Sequence, residues 1–281
     1  MLILFALPLL SCGDSDLLDD YMVQSPRVLA VRIQDPEVRS GDPVSMKLLV
    51  GGRAVNQDMN ETVSWFFLGR QADLVGAAGY DQEFIAAIPD DVLDGEAQWF
   101  DLTILASIQI GARSLTAEKN VRITRDPVAK NPVISGIQIA YLDSGRLETV
   151  EVHNGDQIDI AAQVKNIACT ALTDQLAPGE NDQLIYRWYV STSKTSGGKL
   201  YINNDKDLAS DLLGPGTGAS ETKASAVFSL RGEFADGSVQ TGHYDVYLVV
   251  RDNAAAPQSE ADDRFGTDFI YFTLCVNNGC S

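Results

Sequence analysis

Acidic side chains are the residues of this sequence best placed to do chemistry, and one group lies near its C-terminal end. Asp252, Glu260, Asp262 and Asp263 share a single stretch. Ca²⁺ takes about six to eight oxygen ligands, and carboxylates supply them well. The loop pattern of helix-loop-helix calcium sites is absent, however, and acidic loops are often only solvated. The stretch therefore predicts either a calcium site at these four residues or a solvated loop, and no other cofactor is predicted.

Catalytic groups are scarce by comparison. Two carboxylates about 5 to 9 Å apart can hydrolyse a glycoside, but with 39 acidic residues some such pair will always occur. His153 falls in a turn and His243 begins a predicted strand, and neither lies near a Gly-x-Ser-x-Gly nucleophile motif. We predict no catalytic residue and no enzyme activity, with a glycan-acting enzyme as an alternative.

Composition and charge limit the classes to which this protein can belong. The 281 residues are 45% hydrophobic, which is enough for one large or two ordinary cores and excludes a disordered chain. Only 21 basic residues oppose the 39 acidic ones, giving a net charge of −18. Because phosphate neutralisation requires the opposite sign, nucleic acid is excluded as a partner.

The chain opens on an apolar run that ends at a cysteine. Residues 1–10 are too few to span a bilayer as a helix, but they match the hydrophobic region of an export signal. The Leu9-Leu10-Ser11-Cys12 sequence resembles the bacterial lipobox, although no Lys or Arg precedes the apolar run. The resemblance implies a signal peptide over residues 1–11 and a lipid on Cys12. The alternative is an ordinary thiol near the chain end.

The resemblance to bacterial lipoproteins also implies a cellular location. Gly13 after the cysteine favours the outer membrane in such proteins, with the body facing either the periplasm or the cell surface. Acyl chains would then hold the protein on the membrane. Residues 12–26 carry four aspartates and are predicted to form a flexible acidic tether. The chain contains no second apolar run long enough to cross a bilayer, so we expect a water-soluble body.

An internal repeat suggests two units. Residues 37–50 match residues 151–164 at a spacing of 114 positions, and Phe100 to Ile104 match Tyr244 to Leu248 at a spacing of 144. The difference predicts that the second copy has gained about 30 residues between the two motifs.

The periodicity within each unit is two, which is typical of strands. Val44, Met46 and Leu48 alternate with polar or outward positions, as do Ile158 and Ile160. Many short strands with turn signals between them indicate an all-β protein. The predicted fold class is therefore two tandem antiparallel β-sandwiches.

Each unit resembles an immunoglobulin-like or PKD-like domain of bacterial surface proteins. Trp65 and Trp188 stand on the third strand, and the stretch from Gly242 to Asp252 is similar to the penultimate strand. The resemblance implies sandwiches over residues 27–126 and 133–281, joined by a proline-stiffened linker at 127–132. The second sandwich would carry an insertion around residues 193–223.

Immunoglobulin-like geometry also predicts which features share an end. The loops over residues 166–183 and 252–268 should face the linker, and the insertion should lie at the opposite tip, which an N-terminal anchor would leave membrane-distal. We predict that this tip binds a partner through five side chains: Lys199, Tyr201, Asn203, Asp205 and Asp207.

The same geometry bears on the cysteines. It implies that Cys169 lies near the linker and Cys275 at the tip, about a strand length of 17 to 20 Å apart. A disulfide needs Cα atoms within about 7 Å. We therefore predict a disulfide between Cys275 and Cys280, with Cys169 unpaired; a zinc site is the less favoured alternative.

These observations together predict a non-enzymatic, lipid-anchored cell-envelope protein. It would be a two-domain rod with a structural role, or one that binds an envelope protein or a glycan. The alternative is a calcium-dependent adhesin-type module.

Overall fold

Every element that the structure describes is a β-strand. The computed structural model describes residues 22–23, 25–52, 61–69, 72–76, 79–87, 99–142, 144, 146–150, 152–161, 164, 166–174, 183–191, 201–203, 224–229, 242–253 and 266–277. In these ranges no helix is long and apolar enough to cross a membrane.

In the described ranges, the first sandwich has eight strands in two sheets. The strands are β2 (Arg27–Ile33), β3 (Glu37–Arg39), β4 (Pro43–Gly51), β5 (Glu61–Leu68), β6 (Asp73–Val75), β7 (Asp81–Ile85), β8 (Trp99–Ile110) and β9 (Arg113–Thr124). Sheet 1 has the order β2-β4-β7-β6, and sheet 2 has the order β3-β9-β8-β5.

The second sandwich repeats this plan and adds strands at its edges. Its strands are β10 (Val133–Tyr141), β11 (Arg146–Val150), β12 (Asp156–Ile160), β13 (Asn166–Asp174), β14 (Gln183–Ser191), β15 (Tyr201–Asn203), β16 (Ser225–Ser229), β17 (Gly242–Asn253) and β18 (Thr267–Val276). Sheet 3 has the order β11-β10-β13-β16-β15. Sheet 4 has the order β1-β14-β17-β18-β12, where β1 is Met22–Val23.

This strand order is immunoglobulin-like. The first, second, fifth and fourth main strands form one sheet, and the third, sixth and seventh form the other. Most neighbours are antiparallel, but β3 runs parallel to β9 and β12 runs parallel to β18. The predicted all-β class and tandem sandwiches are confirmed.

Alternating side chains fill a core between the sheets of each sandwich. Trp65 and Trp188 are both 4% exposed, one in each core, as their position on the third strand predicts. The Trp65 indole N–H donates to the Gly79 carbonyl at 2.8 Å. Truncating a buried tryptophan of this kind typically costs about 3 to 5 kcal/mol, so each core depends on its tryptophan.

The 114-position repeat joins strands that are not equivalent. Val44 and Met46 lie on β4, in the middle of sheet 1, whereas Ile158 and Ile160 lie on β12, at the edge of sheet 4. The strand that corresponds to β4 is β13, which starts and ends 123 positions later. Trp65 and Trp188 have the same spacing. Both strand types carry alternating apolar residues after an acidic turn, so the sequence match was coincidental.

Two further predictions need correction. Residues 166–174, predicted as part of a loop, form β13 in the centre of sheet 3, where every second side chain enters the core. Residues 22–23, predicted as part of the flexible tether, form β1 and pair in parallel with Val190 and Ser191 of β14. A two-residue strand carries too little periodicity to be recognised in a sequence.

The sandwiches lie side by side and not end to end. The outer face of sheet 1 packs against the outer face of sheet 4 through a buried apolar cluster. The rod expected from a short linker is therefore wrong, because the apolar outer faces of the two sheets cover each other.

Candidate functional site

A buried apolar cluster joins the two sandwiches, and we call it the docking cluster. Its residues are Val23, Leu29, Ala30, Leu49, Tyr247, Val249 and Phe269, with Tyr189 packed against them. Phe269, the most exposed of the seven, is still only 8% exposed. Burying a large apolar side chain stabilises by about 1.5 to 3 kcal/mol relative to exposure. The cluster is therefore large enough to hold the sandwiches together.

The sequence of β17 shows why sheet 4 is covered on both faces. Val246, Leu248 and Val250 point into the core of the second sandwich, while Tyr247 and Val249 point into the docking cluster. A strand with one solvent-exposed face alternates apolar and polar residues, but an unbroken apolar run is typical of a strand buried on both faces. This run was the sequence signal for docking.

Asn131 of the linker crosslinks the sandwiches at one end of the docking cluster. Its Nδ2 donates to the carbonyl oxygens of Ile33 at 2.7 Å and Gln34 at 2.8 Å. Its Oδ1 accepts the Thr267 N–H at 2.9 Å. Asn131 is 9% exposed, so losing these bonds would leave buried polar groups unsatisfied.

Charged residues surround Asn131. Arg32 of the first sandwich lies 3.2 Å from the Asp268 carboxylate, which also accepts the Ile134 N–H at 2.9 Å. The buried Lys119 donates to the Thr267 hydroxyl at 3.1 Å. Two basic side chains of the first sandwich, Arg32 and Lys119, therefore contact polar side chains at the start of β18 in the second.

The linker itself is held against the first sandwich. Glu37 accepts the backbone N–H groups of Val128 at 2.9 Å and Ala129 at 3.2 Å. Lys130 pairs with Asp35 at 2.9 Å. The linker therefore owes its order to these contacts as well as to its prolines.

β1 fastens the N-terminal segment to both sandwiches. It extends sheet 4 beside β14, and the 2% exposed Val23 enters the docking cluster. The chain then passes Gly52, where a Cβ would collide with the Ser25 carbonyl and the Val23 side chain. Only glycine permits so close an approach.

A cleft of about 500 Å³ opens beside the docking cluster. Its walls come from both sandwiches and include Lys47, Tyr80, Asp81, Asp245, Tyr271 and Thr273. Lys47 and Asp81 form an exposed ion pair at 3.5 Å on the first sandwich. The cleft therefore exists only while the two sandwiches are docked.

Hydroxyl groups hold the Asp245 carboxylate at the floor of this cleft. Thr273 donates to Oδ1 at 2.9 Å, and Tyr247 donates to Oδ2 at 3.2 Å. The Tyr247 hydroxyl also accepts the Gly52 N–H at 3.3 Å, across the boundary between the sandwiches. Docking and the orientation of Asp245 are therefore coupled through one phenol.

The predicted calcium ligands are placed only in part. Asp252 is 5% exposed, and its Oδ1 accepts the Gly266 N–H at 2.6 Å. Glu260, Asp262 and Asp263 lie outside the described residues. Within the described ranges, no group of three or more acidic, histidine or cysteine side chains could hold a metal ion.

The predicted binding tip lies mostly outside the described residues, as Lys199, Asp205 and Asp207 do. Tyr201 and Asn203 begin and end β15, which pairs with β16 at the edge of sheet 3. β1 pairs with the end of β14 from which this insertion leaves, at Val190 and Ser191. The N-terminal strand β1 therefore lies at the end of β14 after which the insertion begins, and the membrane-distal position of the binding tip stays a prediction.

The cysteines differ in state. Cys275 is disulfide-bonded, while its predicted partner Cys280 and the predicted lipidation site Cys12 lie outside the described residues. Cys169 is free and completely buried on β13, not in a loop as predicted. Burial raises the pKa of the Cys169 thiol from 9.0 to about 12, so it stays protonated at neutral pH.

The histidines occupy structural positions. His153 is exposed in the turn before β12, where its backbone N–H donates to the Asp156 carboxylate at 2.7 Å. Its Nδ1 lies 3.5 Å from the same carboxylate. His243 is half-buried near the start of β17. Each stands where the sequence placed it, in a turn and at a strand start.

Comparisons with known proteins identify no family for this chain. No protein-family model matches the sequence, and no curated protein is significantly similar to it. The protocadherin GammaB4 extracellular domain matches 90% of this chain at 13% identity and a TM-score of 0.25. Mouse cadherin-23 EC22-24 matches the same share at 12% identity and a TM-score of 0.24.

The match spans a third of the protocadherin chain (33%) and 67% of the cadherin-23 chain. A structure that explains Dscam isoform specificity is covered to 51%, at 12% identity and a TM-score of 0.24. At these low TM-scores the likeness adds nothing to the fold that the strand pairing of this chain defines.

Proposed function

We propose that this chain is a non-enzymatic cell-envelope protein, anchored by a lipid on Cys12, whose docked sandwiches act as one structural or binding unit. The docking cluster carries this proposal. Seven side chains, none more than 8% exposed, fix two sandwiches face to face, which favours a shape suited to support or recognition. The immunoglobulin-like fold is common to many unrelated functions and supports the role only as a scaffold.

The position of β1 supports a particular orientation on the membrane. Residues 12–21 could span at most about 33 to 36 Å when fully extended. Because Val23 is buried between the sandwiches, an anchor at Cys12 would keep the second sandwich close to the bilayer. We propose the outer membrane as the site, with the body on its periplasmic or external side.

A partner would bind the insertion in the second sandwich. β15 attaches this insertion to the edge of sheet 3, so a surface there would be held by the sandwich. We propose an envelope protein or a glycan as the partner, through Lys199, Tyr201, Asn203, Asp205 and Asp207.

Metabolic labelling with palmitate tests the anchor. The chain, expressed in a two-membrane bacterium with its own N-terminus, should incorporate label and fractionate with membranes, whereas Cys12→Ala should do neither. Cys169→Ala is the matched control and should behave like the wild type, because that thiol is buried in a core. Equal labelling of Cys12→Ala would contradict the anchor.

Deleting residues 195–222 tests the partner site. The shortened protein should keep the unfolding transition of the wild type and lose its partner, recovered from solubilised membranes and identified by mass spectrometry. Recovery of the same partner by the shortened protein would place the binding surface elsewhere.

A calcium-dependent module is the second candidate. It is favoured by the burial of Asp252, which precedes Glu260, Asp262 and Asp263 in the sequence. Calcium at a hundred times its dissociation constant would add about 2.7 kcal/mol to the stability. The melting temperature would then rise with calcium and fall with chelator, and equal melting in both would remove this candidate.

A further inference from the structure

The cleft between the sandwiches has the features of a small-molecule site. Its volume of about 500 Å³ falls within the range of about 300 to 1,000 Å³ found for ligand pockets. Apolar walls with a few fixed polar groups are typical of such sites. The described residues that line the cleft belong neither to the predicted binding tip nor to the predicted calcium site.

Tyr271 provides an apolar platform in this cleft. Its side chain is 37% exposed, and its ring centroid lies 6.4 Å from that of the buried Tyr247, with the planes inclined by 33°. Asn154 fixes the backbone beneath it, since Asn154 Oδ1 accepts the Tyr271 N–H at 3.0 Å. The exposed ring therefore lies beside a buried one on the same face of sheet 4.

Polar groups surround the platform. Asp245 is only 8% exposed and is held by the Thr273 and Tyr247 hydroxyls. The ion pair of Lys47 and Asp81 stands on the opposite wall, and Tyr80, whose hydroxyl donates to Glu61, lies beside it. Hydrogen-bond donors and acceptors therefore face an aromatic surface across the cleft.

We propose that this cleft binds a neutral saccharide of about one or two rings. A sugar ring offers an apolar C–H face for stacking on Tyr271 and hydroxyl groups that both donate and accept hydrogen bonds, which suits the mixed walls. The net charge of −18 disfavours an anionic glycan. Only Tyr271 of the two neighbouring tyrosines is exposed, so it offers a single ring face, whereas an alkylammonium ion is favoured by several rings that enclose it.

Binding should also strengthen docking. Because both sandwiches line the cleft, a ligand there binds the docked state and not a separated one, and so stabilises docking by mass action. This inference does not depend on lipidation of Cys12 or on the insertion, so it stands or falls separately from the proposed function.

Calorimetric titration of the full-length protein tests the proposal. The probes are glucose, maltose, cellobiose, and N-acetylglucosamine with its β-1,4 disaccharide, each to 20 mM, with choline as the cationic alternative. At least one saccharide should bind, Tyr271→Ala should weaken it at least tenfold, and Tyr271→Phe should retain it. Phe66→Ala is the matched control, since Phe66 is an aromatic residue 51% exposed on the first sandwich, and it should bind normally.

Three results would overturn the proposal. They are no heat with any saccharide, saccharide binding that is unchanged in Tyr271→Ala, or binding of choline alone. Thermal unfolding of each variant without ligand shows whether it has kept the wild-type fold. If Tyr271→Ala does not, saccharide-induced NMR shifts in the wild type decide the matter, because shifts confined to residues outside the cleft would also overturn it.

Discussion

The penultimate strands of the two sandwiches have the same place in the fold but different surroundings. On β8, inward side chains such as Leu102 and Ile104 alternate with outward, more exposed ones such as Asp101 and Thr103. On β17, the outward Tyr247 and Val249 are as buried as their inward neighbours. The outward positions of a strand, and not its inward ones, therefore show whether a sheet docks against another body.

The third strands show the same contrast at their edges. β14 is covered by β1, whereas β5 has no strand beyond it among the described residues. Phe66 and Leu68 of β5 remain 51% and 47% exposed. The N-terminal segment therefore adds an edge strand to one sandwich that has no counterpart beside β5 in the described part of the chain.

Placing a charge at matched outward positions should separate the two strands most strongly. Val249→Asp would bury an unpaired carboxylate in the docking cluster and should lower the free energy of unfolding by at least about 3 kcal/mol. Leu105→Asp, at the corresponding outward position of β8, should cost about 1 kcal/mol or less, because Leu105 is only half-buried. Urea denaturation measures both, and similar costs would show that the two outward faces do not differ.

Asn131 offers the next largest effect. Asn131→Ala would remove three hydrogen bonds at the junction and should cost about 1 to 3 kcal/mol. Asn120→Ala is the control, since Asn120 accepts one bond from Thr103 on the more exposed outer face of sheet 2, and it should cost less than about 1 kcal/mol. If the control is the more destabilising variant, the linker contacts do not hold the sandwiches together.

The edge strands allow a smaller comparison. Val23→Ala should cost about 2 kcal/mol, because the side chain is 2% exposed in the docking cluster. Val75→Ala on β6, where the side chain is 41% exposed, should change stability by less than about 0.5 kcal/mol. Hydrogen exchange at Val190 and Ser191 should quicken in Val23→Ala, and unchanged exchange there would show that β1 does not depend on this side chain.

The smallest expected effect concerns pH. Cys169 and Met46 are both buried inward residues on the second main strands, but only the thiol can ionise. Above pH 9 the unfolded thiol ionises, while the folded one stays protonated to about 12, so stability linked to it falls across that window. The melting temperature of the wild type should therefore decline faster above pH 9 than that of Cys169→Ala. Parallel declines would mean that the folded thiol ionises normally.

The strands and cores followed from local patterns. Alternation over Val44, Met46 and Leu48 predicted β4 because one face of that stretch is buried. The turn predicted at His153 forms before β12, and Gly155 within it has a φ of 90°, a conformation that favours glycine. These features depend on residues close together in the sequence.

The docking cluster and the cleft could not be predicted in the same way. They join Leu49 to Val249 and Lys47 to Tyr271, which are 200 and 224 positions apart in the sequence. The apolar run of β17 indicated a covered outer face, but nothing in it specified the first sandwich as the cover. Sequence similarity also failed to distinguish the two strands of the 114-position repeat. Similar acidic turns precede β4 and β12, although β4 lies inside sheet 1 and β12 lies at the edge of sheet 4.

The most direct test of side-by-side docking is a methyl and aromatic NOE spectrum of the protein in solution. Cross-peaks should link the methyl groups of Leu29 or Leu49 in the first sandwich to Val249, Tyr247 or Phe269 in the second. Their presence would establish the docking cluster. A fully assigned spectrum without any such cross-peak would contradict it and favour sandwiches joined only by the linker.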